Sequence, residues 1–248
     1  MYLPELVRSL GPGDRVLEIG PGGSPHPRAD VLLDKKFFDD REAAAQRSGA
    51  AEVKQDGRLV YYGGGAFPFR DGSFDYVICS HVIEHIPADE LATFLAEIER
   101  VAGKGYIEFP RVFYEMLSTG TCHNWMMNLR GNKILLMDRA RFDNNRISQA
   151  WSALFFGADR QMYKAFRRYP GFFFCGFEWE KKISYEVVSD YNALFGQEDL
   201  DAMKRYLARF EPGGDLAVHH GLRALAEKAM WVVRHPWSWA SGKAPGGQ

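Results

Sequence analysis

The sequence predicts an α/β protein: a mostly parallel sheet covered by helices on both faces, with an insertion after the fifth strand. Three observations predict it. Short apolar runs recur through the first 110 residues, a strongly amphipathic stretch separates the fourth from the fifth, and the rhythm breaks after Pro110. Short apolar strands alternating with helices imply parallel pairing with both faces buried. At 248 residues, 46% hydrophobic and 14% aromatic, the chain can bury the core of one large domain. The expected organisation is a single domain over 1–248, with a core at 1–112, a lid or substrate insertion at 113–170, and closing strands and helices at 171–240.

Taken in order, Leu3, Leu6, Val7 and Leu10 recur at helical spacing and stop at the breaker cluster "GPGD". "RVLEI" follows as a buried strand, then "DVLLD" (30–34), "RLVYY" (58–62) and "FDYVICS" (74–80). "PADELATFLAEIERVA" places Leu91, Phe94, Leu95, Ile98 and Val101 on one helical face, with Pro87 and Asp89 suited to the first turn. "GYIEFP" (105–110) is the fifth strand. Residues 111 to about 170 form the expected lid, with Trp125, Trp151 and two Met-rich stretches. "GFFFCGFEWEKKISYEVV" (171–188) returns to strand character, and helices are expected at about 190–209 and 216–234.

Composition excludes several classes. Lys plus Arg (31) balances Asp plus Glu (32), so no overall field draws nucleic acid to the chain. Cys79, Cys122 and Cys175 are too few and scattered for a disulfide framework or a four-ligand zinc site, and a cytoplasmic location is expected. Neither a signal peptide nor a membrane span is expected, since no basic start precedes an apolar run and no eighteen apolar residues are contiguous.

The segment richest in chemistry is "VLEIGPGGSPHPRADVLLDK". A strand ending in Glu18 meets Gly20-Pro21-Gly22-Gly23, small residues that let the chain turn sharply and bring backbone N–H groups close to a ligand. Fourteen positions after Gly20, Asp34 ends the next strand, followed by Lys35. A carboxylate there can accept hydrogen bonds from both hydroxyls of a ribose.

This combination, continued by "FPFRDGSFDYVICSHVIEHI", resembles class I S-adenosylmethionine-dependent methyltransferases, specifically the type-11 group, over residues 12 to 112. The resemblance implies a Rossmann-like fold and S-adenosyl-L-methionine as cofactor. It also sets Ser80 and His81 beside the methionine part of the cofactor, with His81 facing the transfer site. Two departures matter. "SPHPRA" leaves almost no room for the usual first helix, so the loop's own N–H groups must bind. Gly63-Gly64-Gly65 stands where relatives often carry an acid for the adenine amino group, so Gly63 is expected to contribute backbone only, with weaker adenine discrimination.

His81, Glu84 and His85 also spell H-x-x-E-H, a zinc peptidase spacing. That chemistry needs the motif inside a helix, whereas here it follows a strand and is cut off by Pro87, so no metal site is expected and His85 is read as a substrate contact or a structural cap. A dinucleotide fingerprint would need glycine at 25, where Pro25 stands, which disfavours an NAD oxidoreductase.

The expected reaction is methyl transfer to an O or N nucleophile of a small-molecule or glycan-related acceptor. His81 and, in "TCHNWMMN", His123 are the candidate bases, because imidazole titrates near neutrality. Six Arg/Lys against three acids over 111–146 suggest that Arg111, Arg130 and Lys133 greet an anionic or sugar-like acceptor, and Trp125 is a candidate stacking surface. The alternatives are a non-catalytic cofactor-binding protein and, less favoured, an RNA methyltransferase, since no continuous basic stripe supports base stacking with arginine contacts. At the C-terminus, Leu222, Leu225, Ala226, Ala229 and Val233 share one helical face. Packing on the core or in a homodimer is expected, with a membrane-surface edge of Trp231, Trp237 and Trp239 as the alternative.

Overall fold

A computed structural model describes residues 1–37, 39, 57–118, 122–141, 149–150, 153 and 161–210. Five parallel strands are β1 (Val16–Ile19), β2 (Val31–Lys35), β3 (Leu59–Tyr62), β4 (Tyr76–Ser80) and β5 (Lys104–Pro110). With β8 (Phe174–Glu180) added antiparallel to β5, the order is β3-β2-β1-β4-β5-β8. The α/β, Rossmann-like fold expected from the sequence is therefore present, and the order reverses between β1 and β4. In open parallel sheets that reversal opens a crevice beyond the carboxyl ends of the strands, where ligands bind.

The apolar runs become central strands because both sheet faces are covered. β1 is buried at every position, as is β5 beyond Lys104. On one face packs α1 (Leu91–Val101), which buries Leu91, Phe94, Leu95, Ile98 and Val101, the five positions its periodicity selects. Each such side chain contributes roughly 1.5–3 kcal/mol on burial. Pro87 and Asp89 lie in the turn before this helix instead of in its first turn: Glu90 is the N-cap and its N–H donates to the Pro87 carbonyl at 3.0 Å. Arg100 ties α1 to the loop before β4, pairing with Glu97 and Asp71 and donating to the carbonyls of Phe67 and Phe69.

The N-terminal helix is a correction. Only Pro4–Leu6 makes a single 3₁₀ turn. The amides of Tyr2 and Leu3 donate instead to the Glu108 carboxylate, and those of Arg8 and Ser9 to Glu178. Leu6, Val7 and Leu10 still cover the second face of the sheet, against Val16, Tyr76, Ile78 and Tyr106. Their periodicity reports burial, while distant carboxylates take the N–H groups a helix would use.

After β5 the chain forms α2 (Val112–Leu117) and then a second sheet: a hairpin of β6 (Trp125–Arg130) and β7 (Lys133–Asp138), with β9 (Ser184–Val187) parallel to β7. Trp125, Met127, Ile134 and Leu136 join the main core cluster. The described part of 113–170 thus supplies strands packed on the core. By residue contacts the chain divides into units 1–201 and 202–248. The helix Gln197–Ala208 begins in the first, and of the second unit residues 202–210 are described. Trp151 and the expected helix at 216–234, with its tryptophans, lie outside the described residues. Among the described residues no helix is long and apolar enough to cross a membrane.

Candidate active site

The carboxyl ends of β1, β2 and β4 open into one cavity of about 470 Å³. Gly20, Pro21 and Gly22 line it from β1, Asp34 and Lys35 from β2, and Ser80 and His81 from β4. Gly20 and Gly22 have φ of +63° and +56°, the left-handed region that disfavours side chains. Gly20 also donates its N–H to the Leu33 carbonyl at 2.8 Å, and a Cβ there would stand 2.5 Å from Val82 Cγ2. At Gly22 a Cβ would meet no atom within 4 Å. At Gly20 and Gly22, therefore, only backbone borders the cavity. Residues 21–30 between β1 and β2 form turns without a helix, as the two prolines predict.

Asp34 is buried at the end of β2, with Oδ1 accepting from the Lys35 N–H at 3.0 Å. Glu18 sits one layer deeper and does not line the cavity. It accepts from the His26 N–H at 2.7 Å, and burial pushes its pKa up to about 7 despite that bond. The native state therefore holds the Glu18 proton more tightly than the unfolded chain. Its stability contribution is full below about pH 4.5 and is lost as pH rises through about 7. Glu18→Gln should accordingly gain about 2–3 kcal/mol on wild type between pH 5 and pH 8 in denaturant titrations; a pH-independent difference would contradict the assignment.

His81 has φ of +60°, uncommon for a residue with a side chain, and marks the bend where β4 ends. Its ring touches two carboxylates: Nε2 lies 3.1 Å from Glu108 Oε1 and Nδ1 lies 3.3 Å from Glu84 Oε1. Burial opposes charge on the ring, but the hydrogen bonds and negative charges of Glu108 and Glu84 outweigh it and raise its pKa to about 9. Glu108 is fully buried and also accepts from Ser80, Tyr106 and the amides of Tyr2 and Leu3. Against its own desolvation, the hydrogen bond and charge of His81, followed by these donors, hold it at about 2. The Tyr2 and Phe174 rings close over His81 edge-on, with centroids 5.5 and 5.4 Å from it.

The far wall of the cavity is built by the 3₁₀ turn Ile83–His85 and the segment before β6. The H-x-x-E-H string is therefore a strand end and a tight turn, as Pro87 implies. Three bonds fasten the two segments: Asn124 N–H to the Glu84 carbonyl (2.6 Å), Asn124 Nδ2 to the His85 carbonyl (2.7 Å) and Trp125 Nε1 to the Ile86 carbonyl (2.7 Å). His123 Nδ1 is 2.6 Å from Glu115 Oε1, and Glu115 is fully buried and paired with Arg139. Burial lowers the pKa of both His123 and His85.

Other residues singled out in the sequence lie elsewhere. Trp125 is core. Arg130 pairs with Glu198 and Asp199, Lys133 with Glu186, and none of Arg111, Arg130, Lys133 and Gly63 lines the cavity, where Tyr62 takes the place beside Gly63. Glu108, Glu115, Tyr2 and Phe174 carry no local motif; only tertiary structure brings them to the histidines.

Residues 38–107 match the family model described as a methyltransferase domain. The similarity is to the methyltransferase-domain family and spans 70 of the 248 residues. The match begins just after Asp34, so the Gly20 turn rests on the topology described above. Among solved structures, a protein from Pyrococcus horikoshii OT3 is 23% identical over 46% of this chain and 58% of its own, with a TM-score of 0.34. A Bacillus protein is 21% identical over 40% of this chain and 44% of its own, with a TM-score of 0.27. An S-adenosylmethionine-dependent methyltransferase from Mesorhizobium loti is 16% identical over 54% and 60%, with a TM-score of 0.32. The chain spans 58% and 44% of the length of the first two. No curated protein matches the chain.

Proposed function

We propose that the chain transfers a methyl group from S-adenosyl-L-methionine to an oxygen or nitrogen of a small acceptor. The observation that carries this reading is the convergence of the Gly20–Gly22 turn, Asp34 and Ser80–His81 on one cavity at the carboxyl edge of the sheet. The residues fit that cofactor: a turn with room for close approach, a carboxylate at the ribose position, and a volume within the roughly 300–1,000 Å³ usual for ligand sites. When bound, the cofactor supplies an electrophilic methyl on a sulfonium sulfur. The chain's own residues orient the two partners and exclude water, and holding reactants in line is worth roughly 7–11 kcal/mol.

Of the two candidate bases, His81 is held protonated between Glu84 and Glu108 and has no lone pair to offer at neutral pH. Its part is to fix the cofactor end of the cavity. His123 stays neutral, and with Nδ1 committed to Glu115 its Nε2 lone pair is the functional group on the acceptor side. Arg130 and Lys133, two of the three cations that suggested a glycan-related acceptor, are tied to acids away from the cavity, and a volume of about 470 Å³ supports a small molecule.

Asp34→Ala tests the cofactor assignment. Loss of charge-assisted hydrogen bonds of roughly 1.5–3 kcal/mol should weaken S-adenosylhomocysteine binding at least about tenfold in calorimetry. Unchanged affinity would remove Asp34 from the ribose site.

A further inference from the structure

We propose that Glu84, His85 and His123 bind a divalent transition-metal ion at the acceptor end of the cavity. Each offers one ligand atom, and the three atoms lie within 4.8 Å of one another. The constellation differs from the H-x-x-E-H reading of the sequence. His81 is held by Glu108, and the second imidazole comes instead from His123 on a different segment.

A second observation points to a ligand. The Glu84 side chain is 1% exposed, and its Oε2 has no hydrogen-bond partner. Oε1 is paired with His81 Nδ1 at 3.3 Å, which leaves Oε2 buried and open to a further ligand. Buried carboxylates are otherwise paired or bound to metals, because desolvating an unpartnered charge is costly. A cation between Glu84 and the two imidazoles would give Oε2 the partner it lacks.

Both histidines are set for coordination. His123 gives Nδ1 to buried Glu115, and His85 Nδ1 contacts Cys122 Sγ at 3.3 Å, so Nε2 is the nitrogen each ring leaves to a metal. A carboxylate behind a ligating imidazole fixes its tautomer and raises its basicity. The bonds from Asn124 and Trp125 to the 84–86 turn hold the two ligand-bearing segments together before any ion arrives. One oxygen and two nitrogens suit borderline ions such as Zn²⁺ or Fe²⁺, and Mn²⁺ less well, over Mg²⁺ and Ca²⁺, which prefer all-oxygen shells.

Three protein ligands leave coordination positions for the acceptor. An acceptor hydroxyl bound there would lose its proton to solvent more readily, because the cation stabilises the oxyanion that then takes the methyl group. This use of the ion rests on the methyl-transfer reading; the site itself does not.

The test titrates the chelator-treated full chain with Zn²⁺, Mn²⁺ and Mg²⁺ by calorimetry, with S-adenosylhomocysteine titrated separately. One Zn²⁺ or Mn²⁺ per chain is expected, with Mg²⁺ much weaker, and Glu84→Gln or His123→Gln should each weaken binding at least about tenfold. Circular dichroism unchanged in the variants, and S-adenosylhomocysteine affinity unchanged in His123→Gln, verify that the fold survives. Should Glu84→Gln not fold, His123→Gln and His85→Gln carry the comparison. No stoichiometric ion binding in wild type, or wild-type affinity in the folded variants, overturns the site. Ion binding without nucleoside binding would keep the site and remove the methyl-transfer reading; nucleoside binding without ion binding would do the reverse.

Discussion

Glu108→Ala should destabilise the protein by about 3–5 kcal/mol in chemical denaturation, the cost of removing one member of a buried charged pair. Glu108 is fully buried and receives five donors: His81 Nε2, Ser80 Oγ, Tyr106 OH and the amides of Tyr2 and Leu3. Alanine leaves the imidazolium facing a hole and frees the N-terminal segment that covers the sheet. The same substitution should lower the His81 pKa from about 9, since the hydrogen bond to Glu108 is the main influence raising it against burial. Proton-detected titration of the His81 ring checks this independently of stability. A loss below about 1 kcal/mol, the scale of one ordinary hydrogen bond, would mean that Glu108 is not the hub described.

Gly20→Ala should weaken S-adenosylhomocysteine binding by roughly 100-fold, about 2.7 kcal/mol. The φ of +63° strains any side chain, by roughly 1–2 kcal/mol. The added Cβ would also stand 2.5 Å from Val82 Cγ2, between His81 and the turn that carries Glu84 and His85. Relief must move either the Gly20 turn or that wall of the cavity. Gly22→Ala is the comparison: it carries the backbone strain but meets no atom within 4 Å, so its effect should be smaller. Equal losses for both would show that strain alone, not the approach to Val82, governs the site.

The parts of this molecule legible in its sequence are those encoded locally. Each central strand is a short apolar run because each is buried on both faces, and α1 shows its core stripe because five of its positions face the sheet. Gly20, Gly22 and Asp34 were legible because a tight turn and a strand end demand particular residue types in a fixed order. The N-terminal helix was misread because Leu3, Leu6, Val7 and Leu10 record packing, whereas the carboxylates taking the local N–H groups, Glu108 and Glu178, lie more than 100 residues away. The same limit hid half of the far wall of the cavity. "HVIEH" exposed Glu84 and His85, but nothing in "TCHNW" says that His123 folds against them with Glu115 behind it. The basic excess of 111–146 misled in the opposite direction, because Arg130 and Lys133 find their acids only after β9 and the helix Gln197–Ala208 are in place.

The central claim, that this cavity is a site for the methyl donor, is tested most directly by calorimetric titration of the chelator-treated full chain with S-adenosylhomocysteine, with NAD in parallel. Binding of one S-adenosylhomocysteine per chain with a dissociation constant of order micromolar, about −8 kcal/mol, and none of NAD is the predicted result. No heat with S-adenosylhomocysteine, or equal binding of NAD, would contradict it.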